Sequence, residues 1–286
     1  MIVSYNTCNV LRDCLRSVEE KTQGVGYEVV VVDNASKDGS QEMVQEEFPW
    51  VKLVASPENL GFGRANNLGV KESRGEYVYF LNSDTLLVND AVSILYNFMR
   101  VSESVGVCGG AMFDKDMRPC LTVVRQHRPW DFHLVLLTPL VDMNKVNTHF
   151  HYAEGPRKVD CIIGANMMIK RDLFDEVGGF DPEVELINRV KRLGRSVFIV
   201  PEARIIHLEG QSTRPVKEQL YRERLYSQWL YIWKAYGRWS VRSVYFTHAL
   251  KCAVARVVYG LAYWRKRHEA LRVTYLRFND LLRSRK

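Results

Sequence analysis

The chain has 286 residues, of which 47% are apolar and 26% charged, and its formal net charge is +7. This composition excludes an intrinsically disordered protein, and the length allows one large domain or one domain with an appendage. The six cysteines are scattered and include no C-x-x-C pair, which argues against a disulfide framework or a zinc site and favours reduced thiols.

The charges are divided unevenly along the chain. Residues 214–286 carry 17 Lys and Arg against 4 Asp and Glu, whereas residues 1–213 carry 23 and 29. The sequence therefore predicts two parts, a nearly neutral body over 1–213, and a basic, aromatic-rich helical extension over 214–286. Because no run of 18 or more uninterrupted apolar residues occurs, we expect no membrane-spanning helix. Met1 leads directly into a strand-like segment, so no signal peptide is visible.

Strand-like and helix-like segments alternate from the first residue. Residues 1–6 are typical of the end of a buried strand, and the continuous run Glu28–Val32 is typical of a parallel strand covered on both faces. Further strands are predicted at Val51–Ala55 and from Tyr77 to Leu81, with helices at 10–21, at about 40–48 and around Arg64. This alternation predicts an α/β fold with a mostly parallel sheet and right-handed crossovers.

The pattern continues less regularly beyond the fourth strand. It predicts helices at 91–101, from Arg171 and at 184–193, and strands or extended segments at 105–113, 161–170, 197–200 and 203–207. Residues 114–160 form a mixed segment with many aromatic residues and histidines.

Polar turns follow three of the predicted strands, namely Tyr5-Asn6, Asp33-Asn34 and Asn82-Ser83-Asp84. In a parallel sheet these turns lie on the same edge, where ligands of open α/β sheets bind. A nucleoside diphosphate needs hydrogen-bond acceptors for its base and ribose, which Asp33 could supply. It also needs a hard cation at its phosphates, which Asp84 could bind, and Arg64 could add positive charge.

Several ordered motifs resemble the signature blocks of the family 2 glycosyltransferases, which have the GT-A fold. The resemblance is to the bacterial rhamnosyltransferase-like group and covers about residues 1–213. The motifs that carry it are Val31–Ser40, Glu58–Gly69, Phe80–Thr85, Gly164-Ala165-Asn166 with Arg171 and Phe174, Gly178–Asp181, and Pro201–His207.

The resemblance implies a set of site residues. Asp33 would bind the nucleobase, and the nucleotide-sugar site would also include Tyr5, Asn6, Asn34, Arg64, Asn67, Asn82 and Ser83. Asn82-Ser83-Asp84 would be a variant of the D-x-D metal motif, with Asp84 and His207 as ligands of Mn²⁺ or Mg²⁺. An imidazole ligand suits Mn²⁺ somewhat better. Gly164, Ala165 and Asn166 would border the acceptor.

The implied reaction is displacement at the anomeric carbon with inversion, assisted by a carboxylate base. The sequence departs from the family here, because the usual acidic pair is missing between Glu183 and Val184. Either the base is Asp181, Glu183 or Glu185, or a mobile loop is missing from the sequence. We expect the second, and the half strand with which the chain begins at Met1 is consistent with omitted residues.

The basic extension is rich in aromatic residues, namely Tyr221, Tyr226, Trp229, Tyr231, Trp233, Tyr236 and Trp239. Val244–Trp264 is largely apolar and leads into Arg265-Lys266-Arg267. Aromatic rings beside cations suit the headgroup region of a membrane. Packing on the catalytic domain or in a homo-oligomer is the alternative. No nucleic-acid recognition motif accompanies the charge, so no nucleic-acid partner is expected.

Together these features predict a metal-dependent, inverting glycosyltransferase on the cytoplasmic face of a bacterial membrane. The resemblance alone implies the donor, dTDP-L-rhamnose, from which L-rhamnose would be transferred to a lipid-linked or polysaccharide acceptor in cell-surface glycan synthesis. Two alternatives stay open: a UDP-sugar donor, or a catalytically degenerate protein that serves as a membrane scaffold. A nucleotidyltransferase would need a Gly-rich phosphate loop near the N-terminus, and residues 1–12 contain none.

Overall fold

The computed structural model describes residues 1–124, 154–180, 183–208, 226, 229–259, 272–273 and 275–276. The chain divides into two compact units. The first comprises Met1–Arg125 and Asn144–Arg214, and the second comprises Gln126–Met143 and Pro215–Lys286. The described part of the first unit contains the alternating strands and helices, and that of the second unit is helical.

The described part of the first unit contains one large sheet. Its nine strands are β1 (Ile2–Ser4), β2 (Val30–Asp33), β3 (Lys52–Ala55), β4 (Tyr77–Asn82), β5 (Thr85–Leu87), β6 (Val105–Phe113), β8 (Arg157–Val159), β10 (Asn166–Lys170) and β11 (Ser196–His207). A separate two-stranded sheet consists of β7 (Val123–Val124) and β9 (Cys161–Ile162). The helices are α1 (Cys8–Lys21), α2 (Ser40–Glu47), α3 (Phe62–Lys71), α4 (Ala91–Val101), α5 (Arg171–Glu176) and α6 (Glu183–Arg192).

The strand order is β3-β2-β1-β4-β10-β6-β11-β5, and β8 also pairs with β11. Strands β3, β2, β1 and β4 are parallel, as are β6 and β11. Strand β10 lies antiparallel between β4 and β6, and β5 is antiparallel to β11. The predicted α/β class with a mostly parallel sheet is confirmed. The antiparallel direction of β10 was not predicted, because a short apolar run does not encode the direction of its neighbours.

Helices cover both faces of the sheet, and each face has its own apolar core. One core contains Leu11 and Leu15 of α1 with Leu95 of α4, all fully buried. The other contains three phenylalanines, Phe80, Phe174 and Phe180, whose ring centroids lie 4.8 to 5.6 Å apart. Because β2 is covered on both faces, a continuous run of valines fits it, as the sequence predicted.

Several details of the sheets differ from the sequence-based expectation. Strand β8 lies in the segment described only as mixed, and the single stretch predicted at 161–170 is divided between β9 and β10. Strand β5 was not predicted, because it has only three residues and directly follows a polar turn. The two segments predicted at 197–200 and 203–207 form one strand, β11, whose pairing with β6 is irregular between Val200 and Arg204. Residues 125–153 of the mixed segment lie outside the described residues.

The second unit contains a helical stretch over residues 229–236 and the long helix α7 (Arg238–Tyr259). Its apolar cluster includes Trp229, Ile232 and Val241, each at most 1% exposed. Trp229 makes edge-on contacts with two tyrosine rings, Tyr245 and Tyr275. No helix in the described parts of the chain is long and apolar enough to cross a membrane. Tyr221 and Arg265-Lys266-Arg267 lie outside the described residues.

Candidate active site

The three polar turns lie at one edge of the sheet, because β1 pairs in parallel with both β2 and β4. The register places Ser4 beside Asp33 and Val3 beside Asn82. Hydrogen bonds connect the turns directly. The Asn6 N–H donates to Ser36 Oγ over 2.9 Å, and Thr7 Oγ1 donates to Ser83 Oγ over 3.1 Å. Tyr5 is 39% exposed at this edge.

Asp33 is only 1% exposed, and its two carboxylate oxygens have different surroundings. Oδ1 accepts hydrogen bonds from the Ser36 N–H, 2.9 Å, and from Gln41 Nε2, 2.8 Å. Oδ2 is buried and has no hydrogen-bond partner among the described residues. A buried polar atom without a partner costs about 1–3 kcal/mol. An N–H or O–H of a bound ligand would remove this cost.

Asn34 fixes the loop that leads into α3. Its side-chain oxygen accepts a hydrogen bond from the Leu60 N–H, 3.0 Å, and its own N–H donates to the Ser4 carbonyl, 2.8 Å. Arg64 lies in the first turn of α3, is exposed, and donates through Nε to the Leu60 carbonyl. A cation at the N-terminus of a helix is unfavourable unless an anion lies nearby, so this corner suits a negatively charged ligand.

Asp84 and His207 form a pair at the same edge. His207 Nε2 lies 3.3 Å from Asp84 Oδ1, and Asp84 is 4% exposed. The pair arises because β5 begins directly after Asp84 and pairs with the end of β11, which places Thr85 opposite His207. The Leu208 N–H donates to the Asp84 carbonyl, 2.9 Å. His207 Nδ1 is buried and has no hydrogen-bond partner in the described part of the chain.

The donor atoms of this pair fit a divalent cation. A carboxylate oxygen and a neutral imidazole nitrogen are ligands that Mn²⁺ accepts. Neighbouring ligands of an octahedral ion with bonds of about 2.1 Å lie about 3 Å apart, close to the 3.3 Å observed. Within the described ranges, no group of three or more His, Cys, Asp or Glu side chains could hold a metal ion. Among the described residues, a metal at this pair would have only these two protein ligands, and a bound substrate or water could supply others.

The residues predicted to border the acceptor lie beside the turn Asn82-Ser83-Asp84. The Ala165 carbonyl accepts a hydrogen bond from the Asn82 N–H, 3.0 Å, and Gly164 lies against Phe62. Asn166 is 1% exposed, and its amide connects three strands. It donates to the Gly110 carbonyl, 2.9 Å, and accepts from the Tyr79 hydroxyl, 2.8 Å. Burial raises the pKa of Tyr79 well above its usual value, so this donor keeps its proton.

The sequence profile named Glycosyl transferase family 2 matches residues 1–178. The chain belongs to glycosyl transferase family 2. It is therefore a glycosyltransferase, as the motifs implied.

Two similar proteins are named as glycosyltransferases. The chain is 24% identical over 244 residues to the N-acetylglucosaminyl-diphospho-decaprenol L-rhamnosyltransferase of Mycobacterium tuberculosis, covering 75% of this chain and 79% of that protein. It is 38% identical over 94 residues to the glycosyltransferase GlyA of Streptococcus pneumoniae, covering 32% of this chain but only 13% of that protein.

Solved structures with a similar fold are GT-A glycosyltransferases. The mannosyltransferase PcManGT of Pyrobaculum calidifontis, solved with GDP-Man and Mn²⁺, has a TM-score of 0.55 at 17% identity and covers 96% of this chain and 83% of its own. GalNAc-T7, solved with UDP, GalNAc and Mn²⁺, has a TM-score of 0.55 at 18% identity and covers 79% of this chain and 50% of its own. At these identities the likeness shows the fold alone.

Asn67 of this glycosyltransferase holds the turn that precedes the predicted base. Its side-chain nitrogen donates to the Phe180 carbonyl, 2.9 Å, and its oxygen accepts from the Phe180 N–H, 2.8 Å. Its amide is thus already engaged with the backbone, and its contact with a nucleotide-sugar stays a prediction. Arg189 holds the same turn by donating to the Val177 and Gly179 carbonyls. Asp181 lies outside the described residues, and Glu183 and Glu185 lie in the first turn of α6.

Residues that support the site through hydrogen bonds, such as Thr7 to Ser83 and Gln41 to Asp33, were not predicted from the sequence. Asp38 also escaped notice, although its carboxylate accepts hydrogen bonds at the first turns of two helices, from the Cys8 N–H, 2.8 Å, and the Ser40 N–H, 3.2 Å. The signal available for Asp38 was an acidic residue just before a helix, which is a common capping position. Nothing in the sequence indicated its contact with α1.

A cavity of about 310 Å³ lies at the opposite edge of the sheet from the polar turns. It is bordered by the beginnings of β2 and β4 and by aromatic rings that include Tyr27, Tyr77 and Tyr96. Because the turns of the candidate site follow the ends of the same strands, this cavity is not part of the candidate site.

Proposed function

We propose that this glycosyltransferase uses a divalent cation, Mn²⁺ or Mg²⁺, to transfer L-rhamnose from dTDP-L-rhamnose to a lipid-linked or polysaccharide acceptor with inversion. The observation that carries the metal and donor sites is the Asp84–His207 pair at the sheet edge that also presents the unpaired Oδ2 of Asp33. Support for the sugar comes from the similarity to the mycobacterial L-rhamnosyltransferase.

The donor nucleotide would lie across the ends of β2, β1 and β4. Asp33 ends β2, and Asp84 follows β4, which lies two strands away. Because neighbouring strands are about 4.8 Å apart, the ends of these two strands are separated by about 10 Å. This separation suits a nucleotide whose base is at Asp33 and whose diphosphate is at Asp84. Oδ2 of Asp33 would accept a hydrogen bond from the base, and Arg64 would contact the phosphates.

A bound cation would neutralise the charge that develops on the leaving nucleoside diphosphate. The residues of the chain would supply the other parts of the reaction. Asp84 and His207 would hold the cation, and Arg64 at the start of α3 would add positive charge. A carboxylate would accept the proton of the acceptor hydroxyl as its oxygen bonds to the anomeric carbon and the nucleoside diphosphate leaves from the opposite side. That carboxylate would be Asp181, Glu183 or Glu185, or would belong to a loop missing from the sequence.

A UDP-sugar is the alternative donor, and the geometry at Asp33 does not favour either base. A carboxylate oxygen accepts a hydrogen bond from the ring N–H that uracil and thymine share. Selection between the two must come from contacts with the thymine methyl group or with the sugar.

For the basic extension, we propose that residues 214–286 associate with the cytoplasmic face of the cell membrane, where a lipid-linked acceptor would lie. These residues include 17 basic and only 4 acidic side chains. This composition supports the placement, because the anionic surface of a membrane attracts clustered cations. Homo-oligomer formation through the same extension is the alternative.

The donor proposal is tested by calorimetric titration with dTDP-L-rhamnose and UDP-glucose, each with Mn²⁺, with Mg²⁺ and with chelator. We expect binding that requires the cation and is lost in Asp84→Asn, whose shape is nearly unchanged. Asp175→Asn, an exposed position on α5, is the matched control. Equal nucleotide affinity of Asp84→Asn and wild type in Mn²⁺ would refute the metal site. A folded protein that neither binds these nucleotide-sugars nor hydrolyses them in a donor-hydrolysis assay with Mn²⁺ would favour the scaffold alternative.

A further inference from the structure

Helix α7 of the second unit has one face packed and one face exposed. Val241 and Val244 are fully buried in the apolar cluster of that unit. On the other side, Trp239 is 68% exposed, Phe246 67% and Leu250 55%. These three residues are seven and four positions apart, so they form one stripe along the helix. We call Trp239, Phe246 and Leu250, with the adjacent Arg238 and Arg242, the exposed α7 face.

Cations accompany the aromatic end of this face. The guanidinium groups of Arg238 and Arg242 lie 5.9 and 4.8 Å from the centre of the Trp239 ring. The sequence from Arg224 to His268 contains nine Lys and Arg and no Asp or Glu. Arg238 and Arg242 therefore give this face positive charge beside its apolar side chains. Contiguous exposed apolar groups on a soluble surface commonly mark an interaction site.

We propose that the exposed α7 face binds the surface of a lipid bilayer that carries anionic headgroups. The helix lies in the plane of the interface, with Trp239 at the headgroup level and Phe246 and Leu250 directed towards the acyl chains. Arg238 and Arg242 contact the anionic headgroups. This inference rests on the proposed membrane association of residues 214–286 and assigns that association to one helix face.

The chemistry favours a bilayer over the other occupants of a basic surface. Nucleic acid is bound by stacking of bases on aromatic rings along a cationic groove, whereas this stripe ends in the aliphatic side chain of Leu250. A second copy of the chain would bring the same cations to the interface, and no acidic residue between Glu223 and Glu269 could pair with them.

The test is co-sedimentation of the full chain with vesicles of phosphatidylcholine alone or of phosphatidylcholine mixed equally with phosphatidylglycerol. We expect wild type to bind the anionic vesicles and to be released by salt. In Arg238→Gln with Arg242→Gln, the affinity should fall about 25-fold, because each basic residue near an anionic surface contributes roughly fivefold. In Trp239→Ser with Phe246→Ser and Leu250→Ser, it should fall at least about tenfold.

Matched controls change equivalent exposed residues of the first unit. Lys115→Gln with Arg118→Gln removes the same charge, and Val101→Ser with Leu193→Ser removes apolar side chains that are 81% and 45% exposed. Both controls should bind the anionic vesicles as wild type does. If the serine variant does not fold, as judged by circular dichroism, the arginine variant still tests the face.

The outcomes separate the two levels of the proposal. No binding of wild type to anionic vesicles would overturn the membrane association and the assignment of the face. Binding of wild type and both α7 variants with equal affinity would overturn the face alone. Loss of a dimer in the α7 variants, measured by light scattering without vesicles, would assign the face to a second copy. Binding of single-stranded RNA that is lost in both α7 variants, while the same variants bind vesicles as wild type does, would overturn the lipid assignment. Nucleotide titration of the same variants reports the donor site independently.

Discussion

The turn before the predicted catalytic carboxylate provides a quantitative test of how α3 positions that part of the site. Asn67 of α3 binds both backbone groups of Phe180, and Gly179 lies directly against the same amide. Gly179 has φ +69°, and a Cβ at this position would lie 2.7 Å from Asn67 Oδ1. The Asn67 amide therefore both binds the backbone of Phe180 and limits the space for a side chain at position 179. Substitutions at positions 67 and 179 can measure these two effects.

The expected magnitudes follow from these contacts. Asn67→Ala removes two hydrogen bonds and leaves the N–H and C=O of Phe180 without them, which should lower the free energy of unfolding by about 2–3 kcal/mol. Gly179→Ala forces a side chain into the left-handed region, at a cost of about 1–2 kcal/mol. The close approach of its Cβ to the Asn67 amide should add about 1 kcal/mol.

The decisive measurement is the double variant. With Ala at position 67, the amide that obstructs the Cβ of residue 179 is gone, while the backbone strain remains. The double variant should therefore be more stable than the sum of the single effects predicts, by about 1 kcal/mol. The assay is urea unfolding followed by far-ultraviolet circular dichroism, with the denaturant dependence compared among all four proteins.

Additive losses would refute this account, because they would show that the cost at Gly179 comes from the backbone alone. A loss below about 0.5 kcal/mol in Asn67→Ala would show that the hydrogen bonds to Phe180 are not maintained in solution. Asn67→Asp is a useful intermediate. It keeps the acceptor for the Phe180 N–H but loses the donor to the Phe180 carbonyl, so its stability should lie between those of wild type and Asn67→Ala.

Three further predictions concern other parts of the first unit. Arg171 donates to the Gly75 and Val70 carbonyls and to Ser73 Oγ over 2.7, 3.0 and 2.8 Å. Arg171→Ala should therefore lower the free energy of unfolding, measured in urea, by about 3 kcal/mol. Arg171→Lys should recover less than half of this loss, because an ammonium group cannot reproduce the planar arrangement of donors of a guanidinium group. Burial raises the pKa of Asp38, but hydrogen bonds from Ser40 and the Cys8 N–H outweigh it and lower the pKa overall. The stabilisation from Asp38 is thus present at neutral pH and is lost as the pH falls through its folded-state pKa. Asp38→Asn should therefore lose less stability than wild type between neutral and strongly acidic pH. Identical acid unfolding curves of the two proteins would contradict this. Burial raises the pKa of Cys14 and Cys161 to about 12. Alkylation of the native protein, read by peptide mass spectrometry, should therefore modify the partly exposed Cys8 well before either of them. Equal labelling of the three cysteines would show that the packing around α1 and β9 opens readily.

Local patterns in the sequence were sufficient for much of the fold. The predicted helix at 91–101 is α4 with the same bounds, and the predicted strand at 105–113 is β6. These elements could be predicted because apolar spacing and strand-like runs are local properties of the chain. The position of the three polar turns also followed from the sequence, since parallel strands end at a common edge.

The direction of β10 and the existence of β5 required the tertiary structure, because strand pairing is a property of two segments together. The same holds for the side chains whose partners are distant in sequence. Asn67 and Phe180 are 113 positions apart, and Asn166 and Gly110 are 56 apart. No local pattern distinguishes an amide that faces a ligand from one that joins two parts of the backbone.

The candidate metal pair shows both contributions. The sequence by itself placed Asp84 at the end of a buried strand and indicated His207 through its resemblance to a family. Only the tertiary structure brought them within 3.3 Å, because β5 pairs with the end of β11. A carboxylate at the end of a strand is determined by local sequence, whereas its partner is determined by which distant strand completes the sheet.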